Sequence, residues 1–343
     1  MCASVSPATN PASVLRASAT RPSRRVLQRN VYVAVVTTFS SALWLAVLSV
    51  LASAAFGEPS ISLWRLATIS IVGGAIGSGL VLMITLALSV LSYRRGWDLD
   101  SVSTPMVTAL GDMTTLPSLF LATYLLRSDL IAVPAAVISI AVAVYAAVRS
   151  YTVADRVIRR IVVEMTAVIL LTPILDILAG TLLRARQGQL IAVPVLLALI
   201  PPFVSQAGAL GGIFTSRTAS KLQIGVITPR GLPEIPALVD ASIVSALSIA
   251  VFTMVGIVAY VLGVATDLAG VPSFPTLVAG TVLSGLIVTP VTLIAGYYLA
   301  VGTFRFGLDP DNQGVPIITS VMDLTGVAVV LFVMTSLGVL PNG

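Results

Sequence analysis

The chain contains no histidine and a single cysteine, Cys2. Without histidine, any bound metal has to be held by oxygen, which suits hard cations such as magnesium or calcium rather than zinc or copper. One cysteine excludes an intramolecular disulfide and says nothing about compartment. Charge is scarce: only 10% of residues are Asp, Glu, Lys or Arg. With 57% hydrophobic residues and a mean hydropathy of +1.04, an ordinary soluble domain is excluded. The short alternation of apolar and polar residues that a membrane barrel needs is also missing. The apolar runs are instead continuous and about twenty residues or longer, the length at which a helix spans a bilayer. There is no P-loop, no G-x-S-x-G motif and no general base beside the many Ser and Thr hydroxyls. The expected class is therefore an all-α, polytopic membrane protein that is not an enzyme.

Nine spanning segments are expected, near residues 31–56, 66–92, 104–126, 130–148, 161–183, 189–214, 237–264, 273–302 and 314–338. Segment 189–214 carries Pro201-Pro202 and then Gly208, Gly211 and Gly212. A proline pair removes backbone donors and glycines let helices approach, so a kink or break is expected there. A break would free carbonyls beside Ser205 and Gln206; close helix packing is the plainer reading of the same glycines. The net charge of +5 comes almost wholly from arginine. Arg24, Arg25, Arg29, Arg94, Arg95, Arg149, Arg156, Arg159, Arg160, Arg217, Arg230 and Arg305, with Lys221, all fall on one side if the N-terminus is cytoplasmic and the C-terminus extracytoplasmic. Basic loops of this kind are a topology signal, and no nucleic-acid partner is expected. Residues 1–30, with five arginines and no acid, read as a flexible cytoplasmic tail rather than a transit peptide. The expected location is the cell membrane, with the lipid bilayer itself as a partner.

Against this apolar background one motif occurs twice. The first copy is Asp98-Leu-Asp100-Ser-Val-Ser-Thr-Pro105-Met-Val-Thr108-Ala-Leu-Gly-Asp112-Met-Thr114. The second is Asp309-Pro-Asp311-Asn-Gln-Gly-Val-Pro316-Ile-Ile-Thr319-Ser-Val-Met-Asp323-Leu-Thr325. Every matched pair is offset by 211 residues without a gap. Six spans separate the copies, so both point the same way and the repeat is parallel. Pro316 is expected in the first turn of a helix, with Thr319 and Asp323 on one face and Asp323 about 10 Å deeper. Thr108 and Asp112 occupy the matching face of the first copy.

A carboxylate at such depth must be protonated, paired or facing a cation. No Lys or Arg lies mid-span to pair with it. Two carboxylates on one axis repel unless a positive ion sits between them. Magnesium needs only one or two carboxylates because it keeps several waters, and a ring of acids is a common cation filter. Asp112, Asp323, Thr108 and Thr319 are therefore the expected ion-binding residues. Asp98, Asp100, Asp309 and Asp311 either cap helices or concentrate cations at a pore mouth. Asp176, deep in the fifth span and without a repeat partner, is a further metal-site candidate. Glu164 and Asp240, near span ends, are expected to be solvated by the interface.

At Asp309-Pro-Asp311-Asn312, Pro316 and Asp323-Leu-Thr325-Gly326 the chain resembles the MgtE-type magnesium channels and transporters. Gln206-Ala-Gly208-Ala-Leu-Gly211-Gly212 is loosely similar to that family's Gly-rich second helix. The resemblance is closest to two-domain relatives, in which a connector helix joins two units into a pseudo-dimer. It implies a partial first unit of three helices at 31–126, a connector at 127–160 and a complete five-helix unit at 161–343. It also implies that the second and fifth helices of a unit line the pore. The residues given hold no counterpart of the cytoplasmic helical domain and nucleotide-sensing modules of bacterial members. The tail Ala12-Ser-Val-Leu-Arg16-Ala-Ser-Ala-Thr20 resembles Gly211-Gly-Ile-Phe-Thr-Ser-Arg217-Thr-Ala-Ser220. The first unit is thus expected to be completed by two spans encoded upstream of Met1, or by self-association. The sequence reading is divalent cation transport, foremost of Mg²⁺, with Mn²⁺ and Co²⁺ meeting the same oxygen chemistry. The alternatives are a proton- or sodium-coupled transporter of another solute and a non-transporting membrane scaffold.

Overall fold

The computed structural model describes residues 24–55, 63–95, 99–125, isolated positions between 133 and 148, 156–308 and 310–340. Nine helices are traced through them: α1 (Arg24–Ala55), α2 (Leu63–Arg95), α3 (Leu99–Leu125), α4 (Arg156–Ala185), α5 (Gln187–Ala192), α6 (Val195–Gln223), α7 (Ile235–Ala265), α8 (Phe274–Arg305) and α9 (Pro310–Ser336). There are no strands among the described residues. Seven of the helices (α1, α2, α4, α6, α7, α8 and α9) are long and apolar enough to cross a membrane. The chain is an all-α, multi-pass membrane protein, and α3 matches the third expected segment as a helix of 27 residues. The fourth expected segment, 130–148, falls largely outside the described residues.

Local chemistry sets the helix ends. Pro236 and Pro275 occupy the first turns of α7 and α8, where a missing N–H costs nothing. Basic residues close α2, α6 and α8 (Arg94 and Arg95, Lys221, Arg305), complementing the helix dipole. Gly225 and Gly307, with φ of 75° and 67°, lie two residues beyond α6 and α8 and take the left-handed conformation that ends a helix cheaply.

Two expectations need correction, the place of the break in the sixth segment and the place of Pro316. The sixth segment begins with the short α5, and the interruption falls at Val193–Pro194 rather than at the proline pair. Val193 is extended (φ −129°, ψ 72°) and Pro194 caps α6, as expected for a residue whose φ/ψ is restricted by the proline after it. α6 then runs through Pro201-Pro202 and the glycines to Gln223. No helix break exposes carbonyls beside Ser205 and Gln206. Pro316 lies inside α9, because the donorless first-turn place is taken by Pro310.

α6 is the centre of the molecule. It packs on α9, α8 and α7 and also on α3 from the N-terminal part, while α1 packs on α4. Its buried face includes Leu199, Phe203, Gly208, Gly211, Phe214 and Thr218. The main apolar core is built from residues of α4–α9 and the segments joining them, among them Phe252, Leu277, Ile318, Met322 and Met334. Phe203 and Phe252 stack with ring centroids 4.6 Å apart. Many buried hydroxyls satisfy themselves on carbonyls one turn back, as Thr218 does on Phe214 O (2.8 Å) and Thr281 on Leu277 O (2.7 Å), so they can be buried without a strong desolvation penalty.

Candidate ion site

α9 carries the second copy of the aspartate motif. Its interface with α6 is a seam of glycines. A Cβ on Gly208 would lie 3.2 Å from Thr319 Cγ2, and one on Gly211 2.8 Å from Ile318 Cγ1. From the other side, Cβ atoms on Gly314 and Gly326 would lie 2.7 Å from Thr215 Cγ2 and 2.9 Å from Val204 Cγ1. Only hydrogen at these positions lets two helix backbones come this close. The seam fixes the rotation of α9, with Ile318 and Met322 fully buried and Thr319 and Asp323 partly exposed. The Thr292 hydroxyl, which donates to Val288 O at 3.0 Å, also touches Met322 Sδ and packs α8 against the same turn.

Asp323 is one helical turn from Ser320, and the Ser320 side chain lies beside Asp176 on α4, the helix that packs on α9. Asp176 Oδ1 is buried without a hydrogen-bond partner. A buried acceptor left unpaired is costly. The structure therefore brings Asp176 to the α9 turn that carries Thr319, Ser320 and Asp323. Gln313 Nε2 donates to Glu164 O (3.3 Å) and ties the first turns of α9 to α4.

Asp112 and Thr108 lie on α3, and α3 packs on α6. Their side chains, with those of Asp100 and Asp311, lie outside the described residues, as do Asp98 and Asp309 entirely. Among the described residues no three acids cluster into a metal cage.

Sequence reasoning placed Asp240 at a solvated span end; the structure corrects this. Asp240 is only 1% exposed. Arg217 Nε lies 3.2 Å from Oδ1 and Lys221 Nζ 2.6 Å from Oδ2, and Lys221 also donates to Pro236 O at 2.7 Å. Two cations one turn apart on α6 thus clamp a carboxylate on α7. That i, i+4 basic pair at the end of an apolar helix was the available signal. Beyond it, the 224–234 loop is held by α8. The Tyr297 hydroxyl lies 3.0 Å from the carbonyl oxygens of Arg230 and Leu232, and Tyr298 donates to Gly231 O at 3.0 Å. The Thr228 hydroxyl bonds Glu234 and holds its carboxyl below the ordinary range.

Residues 11–122 and 200–333 both match the family model described as MgtE, divalent cation transporter. The chain belongs to that family. Both matched regions contain the aspartate motif, and together they cover more than half of the chain. No curated protein and no solved structure gives a significant match. Membership identifies this MgtE-family protein as a divalent cation transporter in the membrane. The family is one of transporters rather than enzymes.

Proposed function

We propose that the protein passes Mg²⁺, largely hydrated, along α6 between the two aspartate helices. The observation that carries this reading is that α3 and α9, the two helices bearing the duplicated motif, both pack on α6. Asp112 and Asp323 would face the ion on a pseudo-two-fold axis, replacing outer water, with Thr108 and Thr319 one turn before them. Asp176 would add negative potential through its contact with the α9 turn. Asp98, Asp100, Asp309 and Asp311 would concentrate cations at the mouth. The arginine distribution supports a cytoplasmic N-terminus in the cell membrane. Mn²⁺ and Co²⁺ accept the same ligands, and a site that reads a hydrated ion separates them only by size and charge.

No nucleotide-hydrolysis motif is present in the sequence, so the membrane potential is the proposed driving force. It supplies about 4.6 kcal/mol to a divalent ion per 100 mV. The test is Mg²⁺ uptake into proteoliposomes under a potassium diffusion potential. Inside-negative potential should drive uptake without a proton or sodium gradient. Asp323→Asn keeps the side chain's shape but removes its charge, and should reduce flux to background with unchanged expression. Normal conduction by that variant would make the carboxylate structural. Movement of another solute only when a gradient is imposed would make the protein a coupled transporter.

A further inference from the structure

A second feature lies away from the aspartates. Between α6, α7 and α8, at the end of the bundle closed by the 224–234 loop, is an apolar recess of about 320 Å³. Its floor reaches into the core at Phe214, Ala237 and Tyr297, which are 2%, 0% and 4% exposed. Its rim is Leu238, Ile294 and Tyr298, exposed on helices of membrane-spanning length. This is a cleft opening sideways to lipid, not a flat part of the lipid-facing surface. The tyrosine hydroxyls turn away from it to hold the carbonyls of residues 230–232, so the recess itself stays apolar while the loop is fixed across its end.

Of the basic side chains beside that loop, two are taken up by a buried carboxylate and two are exposed. Arg217 and Lys221 are taken up by Asp240. Arg230 is not taken up in the same way. Its side chain is 73% exposed, and its approach to Glu234 is 3.9 Å, while the Glu234 carboxylate is engaged by the hydroxyl and N–H of Thr228. Arg305 is also exposed, with its guanidinium held beside the loop by Pro229 O (Nε, 3.0 Å). An apolar slot closed by a loop that carries one exposed guanidinium group, Arg230, and binds a second, Arg305, matches one kind of occupant, an amphiphile with an acyl chain and an anionic phosphate.

We propose that this recess binds one acyl chain of an anionic glycerophospholipid whose phosphate rests on Arg230 and Arg305. The reading is independent of the ion path, since the recess is lined by α7, α8 and Phe214 of α6 and by no residue of the aspartate motif. Native mass spectrometry of the full chain, released from micelles containing phosphatidylglycerol or phosphatidylcholine, tests it. The wild type should retain phosphatidylglycerol in preference. Arg230→Gln should lower that preference by about fivefold, the attraction of one basic residue at a lipid surface. Ile294→Trp, which fills the mouth of the recess, should reduce retention of both lipids. Ala241→Leu fills the recess from α7 and should do the same if the tryptophan variant fails to fold. Equal retention of both lipids by the wild type, retention of detergent alone, or unchanged behaviour in the arginine and recess-filling variants would overturn the proposal.

Discussion

Asp240 and Asp323 are single carboxylates on apolar helices, yet they have different surroundings. Asp240 is buried and held by two cations, whereas Asp323 is partly exposed beside Thr319 and Ser320 on α9. A carboxylate between two basic groups is a structural tie, and its removal leaves Arg217 and Lys221 without a counter-charge. Asp240→Ala should therefore destabilise the protein by about 2 kcal/mol or more. That is less than a fully enclosed pair would cost, because the cations are 33% and 21% exposed. Replacing all three residues together with apolar residues of similar size should recover most of the loss. Thermal unfolding in detergent reads both variants, and a triple variant less stable than Asp240→Ala would refute the pairing account. The sequence could not place this tie. The i, i+4 spacing of Arg217 and Lys221 signals a basic pair on one face, but not that its partner is a carboxylate on the following helix, beyond a loop whose course the α8 tyrosines set.

At the scale of helices, the seam between α6 and α9 positions the site. Gly211→Val should force the helices apart, since its Cβ would lie 2.8 Å from Ile318 Cγ1 and 2.9 Å from Thr292 Cγ2. The expected cost is about 1–3 kcal/mol, as for other overpacked cores, together with reduced cation flux. Gly302→Ala is the control. Nothing lies within 4 Å of a Cβ there, and an alanine in a helix should be neutral or stabilising by about 0.5–1 kcal/mol. Equal loss from both substitutions would show that close approach is not what Gly211 provides. Most of the helices were legible in the sequence because long apolar runs leave few alternatives in a bilayer. The glycines were legible as a packing signal but not as a choice between packing and breaking. That choice depends on whether a neighbouring helix fills the space above each glycine, and here Thr319 over Gly208 and Ile318 over Gly211 settle it. Pro194 rather than Pro201-Pro202 marks the interruption, because the extended residue before it decides where the chain leaves the helix.

For the whole molecule, the question is whether two copies of one motif make one path or two. The offset of 211 residues without a gap and the two matched regions of the family model were readable as duplication. How the copies meet was not, because residues so far apart in sequence carry no local signal of their contact. α3 and α9 reach opposite copies of the motif to the same helix, α6, and this favours a single shared path. The two arrangements differ in a measurable way. If each copy served its own path, Asp112→Asn would remove one path and leave about half of the flux, as would Asp323→Asn. If both carboxylates face one ion, either substitution removes half of the charge that replaces its outer water. Either alone should then stop nearly all Mg²⁺ uptake, although the other copy is intact. Uptake into proteoliposomes, normalised to protein inserted, distinguishes the two. Retention of about half the flux by each single variant, and none by the double, would replace the shared axis with two independent routes.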